Sequence, residues 1–502
     1  MFNFSLSALS DHVVADNEIS LRIYNDLVDK YNKSTHLYPK EINIFGVYFI
    51  DVLKLLTNTY LKAKEINLEI LPNNQYVTSK LDRWPYISYD DISNGCDVDS
   101  KIFGMGSSVS QSQLKVLSHF VVNMQYFLGR RFSKRLSLIS PRIDSGSNIL
   151  WFQDPKIKTS ILNLKTGWFG VPQLDDQIDL LKESIIEIME NNYHPLPSKL
   201  ISNLLEKHIK ADCYSGNSDI TFEGDILLLS CGLELHNRML SINAKQKEVP
   251  VINIMHGEAF GVYDEPIFSD FGEFMYSDAV LGYGEGFISA VNTYEFGMKK
   301  TIKYIKSNGV KTSRYFQKDY HSLSTSKKNI KYYYYPTALR GASHRYGPYR
   351  DTADSLYLKW QETIFNVFGN LITIKSHPKE KYSESYSFYK IRSVSGSFED
   401  LLDQVDVFVF DYIGTAFNEA CATQKPIVYF DLGIRNIHTD ALNLIKERTI
   451  YFDIKDGMPT LTEIQDRLFQ EDKENTYTKK YSLCGNNKTR AQSLSEGIQD
   501  FF

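Results

Sequence analysis

The sequence predicts two parallel α/β domains in tandem, and three observations carry that expectation. The chain has 502 residues, more than one hydrophobic core usually serves. Short runs of β-branched and aromatic residues alternate with helix-period segments over two long stretches, the pattern that builds parallel sheets with helices on their faces. Between the two lies Asn308 to Asn329, NGVKTSRYFQKDYHSLSTSKKN, which is polar and aperiodic and marks a linker. The expected domains are 1–315 and 330–485, with 486–502 a tail that packs back on the first domain.

The first domain opens with EINIFGVYFIDV, Glu41 to Val52, a strand by composition, followed by the helical pattern LKLLTNTYLKAK. Gln111 to Leu136 has helical periodicity and reads as an inserted helical region. It ends on Arg130, Arg131, Lys134 and Arg135, a solvated helix end or a face for an anionic acceptor or lipid headgroups. Next come the strand DILLLS from Asp225, a helix over Leu233 to Gln246, and the strand VPVINIM from Val249 to Met255, together a βαβ unit. The strand Ala279 to Gly282 leads through GYGEG into FISAVNTYEFGMKKTIKYI, read as helix. Gly282, Gly284 and Gly286 at alternate positions are not a dinucleotide fingerprint but suit a tight strand-to-helix turn.

In the second domain the order runs strand KYYYYP, helix ADSLYLKWQETIFNVF, strand LITIKS, helix SFEDLLDQ, strand DVFVFD, helix TAFNEACATQ and strand PIVYFD. Such alternation implies a doubly wound sheet that binds ligands at the carboxyl ends of its strands.

Bulk properties narrow the function classes. Net charge is -5, from 56 Lys and Arg against 61 Asp and Glu, so nucleic acid is not an expected partner. Five scattered cysteines without a C-x-x-C pair argue against a zinc site or disulfide framework and fit a reducing cytoplasm. The N-terminus lacks the basic start and apolar core of a signal peptide, and no run of about 18 apolar residues spans a membrane. A cytoplasmic location is expected, and peripheral contact with the inner membrane face stays compatible. Aromatics reach 13%, with 33 Tyr and 30 Phe, which suits stacking on sugars or bases or reflects compositional drift, the weight falling on drift.

His377-Pro378 directly follows LITIKS, which sets the imidazole at a strand's carboxyl end, where a phosphate or ribose sits in such sheets. His-Pro after a strand is also an ordinary turn. In VFVFDYIGTAFNEA, Gly414 and Thr415 open a helix expected to begin near Ala416, so backbone N–H groups, the helix dipole and the Thr415 hydroxyl converge as they do around a bound phosphate. The plain alternative is N-capping by Thr415. Glu419, one turn on, either meets ribose hydroxyls or is a surface charge. After KYYYYP, the segment with Arg340, His344, Arg345 and Arg350 suits a diphosphate or a carboxylated sugar, or is a solvated basic loop.

The pair IKSHPKE and FDYIGTAFNEACATQKPIVYFD resembles the C-terminal half of GT-B glycosyltransferases that use cytidine donors: bacterial sialyltransferases, capsule-type Kdo transferases and CDP-glycerol glycerophosphotransferases. The resemblance covers roughly residues 220 to 435. It implies two Rossmann-like domains facing across a cleft, with extra helices in the N-terminal half. It also implies donor phosphate contacts from His377 and from Gly414-Thr415; Pro378, which stiffens the turn, and Glu419, Arg340 and Arg345, read from their own positions, complete the expected donor-binding set. This chain departs from those families in having Ile413-Gly414-Thr415 where consecutive hydroxyl residues are usual, so side-chain contact rests on Thr415 alone.

In the N-terminal half, VINIMHGEAFGVYDEP resembles the His-Gly segment of the glycerophosphotransferases, and Asp264-Glu265 the paired acids of some sialyltransferases. Either supplies the group that takes the acceptor's proton, so His256, Glu258, Asp264 and Glu265 are the expected catalytic residues. The alternatives are a satisfied core histidine and an ordinary turn at Asp264-Glu265-Pro266. Asp97-Val98-Asp99 stands in turn-rich text remote from any strand end, and no metal or other cofactor is expected, since helix dipole and cationic side chains can stabilise a leaving phosphate.

The expectation is a transferase that moves a sugar, a nonulosonic acid or Kdo, from its CMP conjugate onto a glycan or glycolipid precursor. Rival readings keep the fold with CDP-glycerol, CDP-ribitol or a UDP- or GDP-sugar, or make the chain a non-catalytic partner in glycan assembly.

Overall fold

The protein was analysed as a computed structural model. It describes strands at 135–139 and 158–161, then 226–229, 247–255, 261–263, 277–293 and 302–309. It further describes 330–336, 354–376, 391–433, 437–468 and 475–483, with a few isolated positions between these segments.

The first sheet holds β1 (Arg135–Ile139), β2 (Lys158–Ile161), β3 (Ile226–Leu229), β4 (Val251–Ile254), β5 (Ala279–Tyr283) and β6 (Lys303–Ser307). They lie in the order β2-β1-β3-β4-β5-β6, every neighbouring pair parallel. All residues of β4 and β5 are buried, as expected of strands covered on both faces. One face carries Ile226, Leu228, Ile252, Ile254, Ala279 and Leu281.

Two sequence expectations fail in this half. Arg135 and Leu136, read as the end of a helix, begin β1, which pairs with both β2 and β3. Lys303–Ser307, read as the tail of a long helix, is β6. The helix α1 is described over Gly286–Thr293, and KYIKS is the last strand of the sheet, whose alternating burial mimics a helix's polar face. The expected strand at Glu41 to Val52 lies outside the described residues.

The second sheet holds β7 (Tyr332–Tyr335), β8 (Ile372–Lys375), β9 (Arg392–Val394), β10 (Val407–Phe410), β11 (Ile427–Asp431) and β12 (Ile450–Asp453). Its order is β12-β11-β10-β7-β8-β9, again all parallel. Counted from β7, this is the 3-2-1-4-5-6 order of a dinucleotide-binding sheet read from its far edge. The helices are α2 (Asp354–Phe368), α3 (Phe398–Leu401), α4 (Thr415–Ala422), α5 (Thr439–Arg448), α6 (Leu461–Leu468) and α7 (Thr476–Tyr481). The alternation expected from sequence holds, with β9 and β12 added at the edges.

Aromatic residues build this core. Tyr332, Tyr333, Tyr334 and Tyr335 are all buried, alternate ones facing opposite layers. On one side Trp360, Phe368 and Phe430 pack over Tyr332 and Tyr334. On the other, the ring of Phe410 stacks on Tyr335 at 5.2 Å and meets Phe417 of α4 edge-on at 5.4 Å. Such pairs add about 1 kcal/mol each to the burial of the rings themselves. Aromatic content in this domain thus serves packing.

The two sheets meet at their carboxyl edges. The segment after β4 reaches the second domain, where Tyr263 bridges to Ile437 and the His438 amide donates to the Val262 carbonyl at 2.9 Å. In return α7 reaches the turn after β5, where the Glu285 amide donates to the Lys480 carbonyl at 2.8 Å. The linker region is partly structured, since Thr312 and Tyr315 are buried and the Tyr315 ring lies 5.7 Å from that of Phe398. Two Rossmann-like domains joined in this way are the organisation of the GT-B fold.

Candidate functional site

A doubly wound sheet binds its ligand where neighbouring strands lead their chains in opposite directions, because helices there leave a crevice outside the carboxyl ends. In the second sheet that place is between β7 and β10. What leaves β10 is Asp411-Tyr412-Ile413-Gly414, followed by α4, so the sheet order brings Gly414 and Thr415 to the crevice.

This turn is held from two sides. The Asp411 carboxylate is buried and accepts hydrogen bonds from the Tyr334 hydroxyl and, at 2.7 Å, from the Trp360 indole N–H. A buried carboxylate needs such donors, and these tie the turn to β7 and α2. From the other domain, the Tyr263 hydroxyl accepts from the Ile413 amide at 2.8 Å and donates to the Ile413 carbonyl at 3.2 Å. One phenol thus satisfies both polar groups of a fully buried residue.

Gly414 is the N-cap of α4, in extended conformation, and no side chain caps the helix. The helix starts at Thr415, beside the expected Ala416. One expectation is corrected: the cap is Gly414 and Thr415 is the exposed first helical residue, so N-capping by its hydroxyl does not occur. A helix start with no side-chain acceptor among the described residues is suited to an anion, which supplies the missing acceptor and meets the positive end of the dipole. A Cβ at Gly414 would stand 2.6 Å from the Tyr412 ring, so a side chain there would displace that ring.

The other end of α4 is fixed by Arg448, whose buried guanidinium donates to the carbonyls of Cys421 at 3.1 Å, Thr423 at 2.6 Å and Lys425 at 3.0 Å. A cation at a helix C-terminus complements the dipole and leaves the opposite end free for an anion. Burial pushes the neighbouring Cys421 thiol up to about 12, so it is not a nucleophile at neutral pH.

Glu419 is buried on α4, which excludes its reading as a surface charge. It sits close enough to Tyr335 to act on it: burial first, then Tyr333, Glu419 and Tyr315, push the Tyr335 phenol up, so that it stays a neutral O–H. Sequence reasoning missed Tyr335, Lys375, Asp411 and Tyr263. The signal for Lys375 was a charged residue inside LITIKS at the strand end next to His377. None existed for Tyr263, which lies 150 residues from its partner.

The remaining expected residues flank described positions. His377 and Pro378 lie outside the described residues, directly after Ser376, whose hydroxyl is 2.8 Å from that of Ser393 and whose amide donates to the Val394 carbonyl. Arg340 and Arg345 also lie outside them, in the segment that leaves β7 at the crevice. So do His256, Glu258, Asp264 and Glu265, but the chain on either side of the first two is well anchored. Met255 accepts a 2.8 Å bond from the Tyr283 hydroxyl, and Tyr263 holds Ile413. Asp97 and Asp99 lie outside the described residues as well, and among those described no three His, Cys, Asp or Glu side chains gather as metal ligands.

The glycines of GYGEG serve packing, as the tight-turn reading expected. Gly284 has φ +68, and a Cβ there would meet the Lys480 carbonyl, while one at Gly286 would meet the Tyr481 ring.

No protein-family model and no curated relative matches the chain. Among solved structures it is similar to MnaA of S. aureus in a co-structure with UDP, at 12% identity over 73% of this chain and 96% of that chain, TM-score 0.40. It is also similar to MurG of Acinetobacter baumannii, at 9% identity over 73% and 98%, TM-score 0.32. A third is the glycotransferase of kitacinnamycin, at 11% identity over 73% and 98%, TM-score 0.33.

Proposed function

We propose that this chain is a glycosyltransferase of GT-B architecture that takes its sugar from a nucleotide-activated donor held by the second domain. The observation that supports the reading is the start of α4 at the crevice between β7 and β10, where no described side chain caps the helix and a phosphate would meet the amides. The finer proposal is a CMP-linked donor, a nonulosonic acid or Kdo, transferred to a cell-surface glycan or glycolipid precursor. It is supported by the resemblance of the His377-Pro378 and Gly414-Thr415 segments to transferases with cytidine donors.

In this reading the α4 amides and His377 bind the donor's phosphate and stabilise the charge that develops on it as the sugar departs. Arg340 and Arg345 answer a second phosphate or the sugar carboxylate. His256 or Glu258 takes the proton from the acceptor hydroxyl, with Asp264 and Glu265 as the reserve assignment. No metal is required by these roles, and transfer is expected to persist in EDTA.

Thermal-shift measurements with CMP, CDP, UDP and GDP test the proposal. A ligand at 100 times its Kd that binds only the folded state stabilises it by about 2.7 kcal/mol, which a melting curve detects. CMP or CDP should raise Tm more than UDP or GDP. Equal shifts, or a preference for GDP, contradict the cytidine assignment, and no shift with any of the four contradicts a nucleotide site.

A further inference from the structure

At the carboxyl end of β8, the strand beside β7, stands a lysine that no sequence reading assigned. Lys375 is the last residue of β8, and its side chain is 6% exposed. Ile372 and Ile374 face the α2 layer together with Tyr332 and Tyr334, so by strand alternation Lys375 faces the opposite layer, that of Tyr335 and α4. Its register neighbour, one step past the Tyr334–Ile374 pair, is Tyr335. The Lys375 ammonium bends toward the carboxyl edge and donates to the Ser376 carbonyl at 2.7 Å, beside the position of His377.

An ammonium carries three donors, and among the described residues this carbonyl is the one acceptor it has, with no carboxylate paired to it. Burial holds its pKa below the ordinary lysine value. On the neighbouring strand β7 the Tyr335 hydroxyl is likewise buried and has no hydrogen-bond partner among the described residues. Buried polar groups are nearly always satisfied, and a cation removed from water without a counter-charge is costly to keep. Two such groups near the carboxyl ends of neighbouring strands, in the sheet whose next strand leads into α4, have a common explanation in an anion that arrives from outside.

We propose that Lys375 is a donor-binding residue whose ammonium neutralises the phosphate of the nucleotide, opposite the amides of α4. The inference rests on the nucleotide reading above and adds a residue that the resemblance did not supply. Lysine serves there as a point charge, with its stem packed against the sheet and its head at the edge.

The test compares the wild type with Lys375→Met and Lys375→Arg in the full chain, by calorimetric titration of CMP and of cytidine. Lys375→Met should weaken CMP at least tenfold while leaving cytidine within twofold, and Lys375→Arg should recover part of the loss. Methionine fills the stem's volume without burying a charge, so Lys375→Met should melt at or above the wild-type temperature. A fall in Tm with unchanged CMP affinity would mark Lys375 as structural and overturn the inference. Equal CMP affinity in wild type and Lys375→Met overturns it while leaving the nucleotide reading intact, whereas failure of the wild type to bind any of the four nucleotides overturns both.

Discussion

At the scale of single residues, the site separates groups that hold the turn from groups that would touch the ligand. Asp411 and Tyr263 belong to the first kind, and their partners are backbone or buried side chains. Thr415 belongs to the second, being exposed at the first position of α4. Thr415→Ala should therefore leave stability within about 0.5 kcal/mol of the wild type and lower transfer only modestly, because the backbone amides survive the change. His377→Ala should lower transfer by roughly a hundredfold with the fold intact, since it removes a donor to the leaving group. Transfer rates and melting curves of the two variants check both expectations; near-normal turnover in His377→Ala would reduce the His-Pro segment to a turn. A related expectation follows from the depressed pKa of Lys375. Between its folded value and the ordinary 10.5, the unfolded chain binds more protons than the folded one, so stability rises with pH across that window. The stability difference between Lys375→Met and the wild type should accordingly shrink as pH is raised toward 10.5, a trend that denaturant titrations at several pH values can read.

At the scale of elements, α4 is the part on which the site depends, and its far end is held chiefly by the Arg448 guanidinium, with the Asn475 amide on the Cys421 carbonyl. Replacing Arg448 by Met would leave the carbonyls of Thr423 and Lys425 without this donor, while that of Cys421 keeps its 2.7 Å bond from the Asn475 amide. A loss of about 3 kcal/mol is expected, with a lower Tm and weaker nucleotide binding together, since the start of α4 moves with its end. Unchanged binding in a destabilised Arg448→Met protein would mean that the helix start is not what holds the ligand. The elements that sequence revealed were those whose burial is continuous: VFVF of β10, IVYF of β11 and YYYY of β7 are fully buried and read as strands at once. Those it missed are the edge strands β2, β6, β9 and β12 and the interior strand β1. β9 is three residues with two exposed, and β6 carries two lysines, so neither offers the apolar run by which a buried strand is recognised. The position of Gly414-Thr415 was legible because strand ends and small residues at a helix start are local signals. The clasp by Tyr263 was not, because it depends on how two domains meet.

At the scale of the whole molecule, that clasp joins the segment after β4 to the turn after β10, so the segment bearing His256 and Glu258 is tied at its far side to the donor turn. Tyr263→Phe removes both hydrogen bonds and leaves the buried Ile413 amide without its acceptor, at a cost of about 1 to 3 kcal/mol. If the clasp aligns acceptor chemistry with the donor, this variant should lose more in kcat than in nucleotide affinity, which steady-state kinetics and titration separate. Equal losses in both would make Tyr263 a support of the donor turn alone. The central claim is that the crevice of the second sheet holds the donor's phosphate, and a crystal structure of the full chain with CMP tests it most directly. The account expects the phosphate within hydrogen-bond distance of the Thr415 and Ala416 amides at the start of α4; a nucleotide seated instead at the carboxyl ends of β1 and β3 in the first sheet would contradict it.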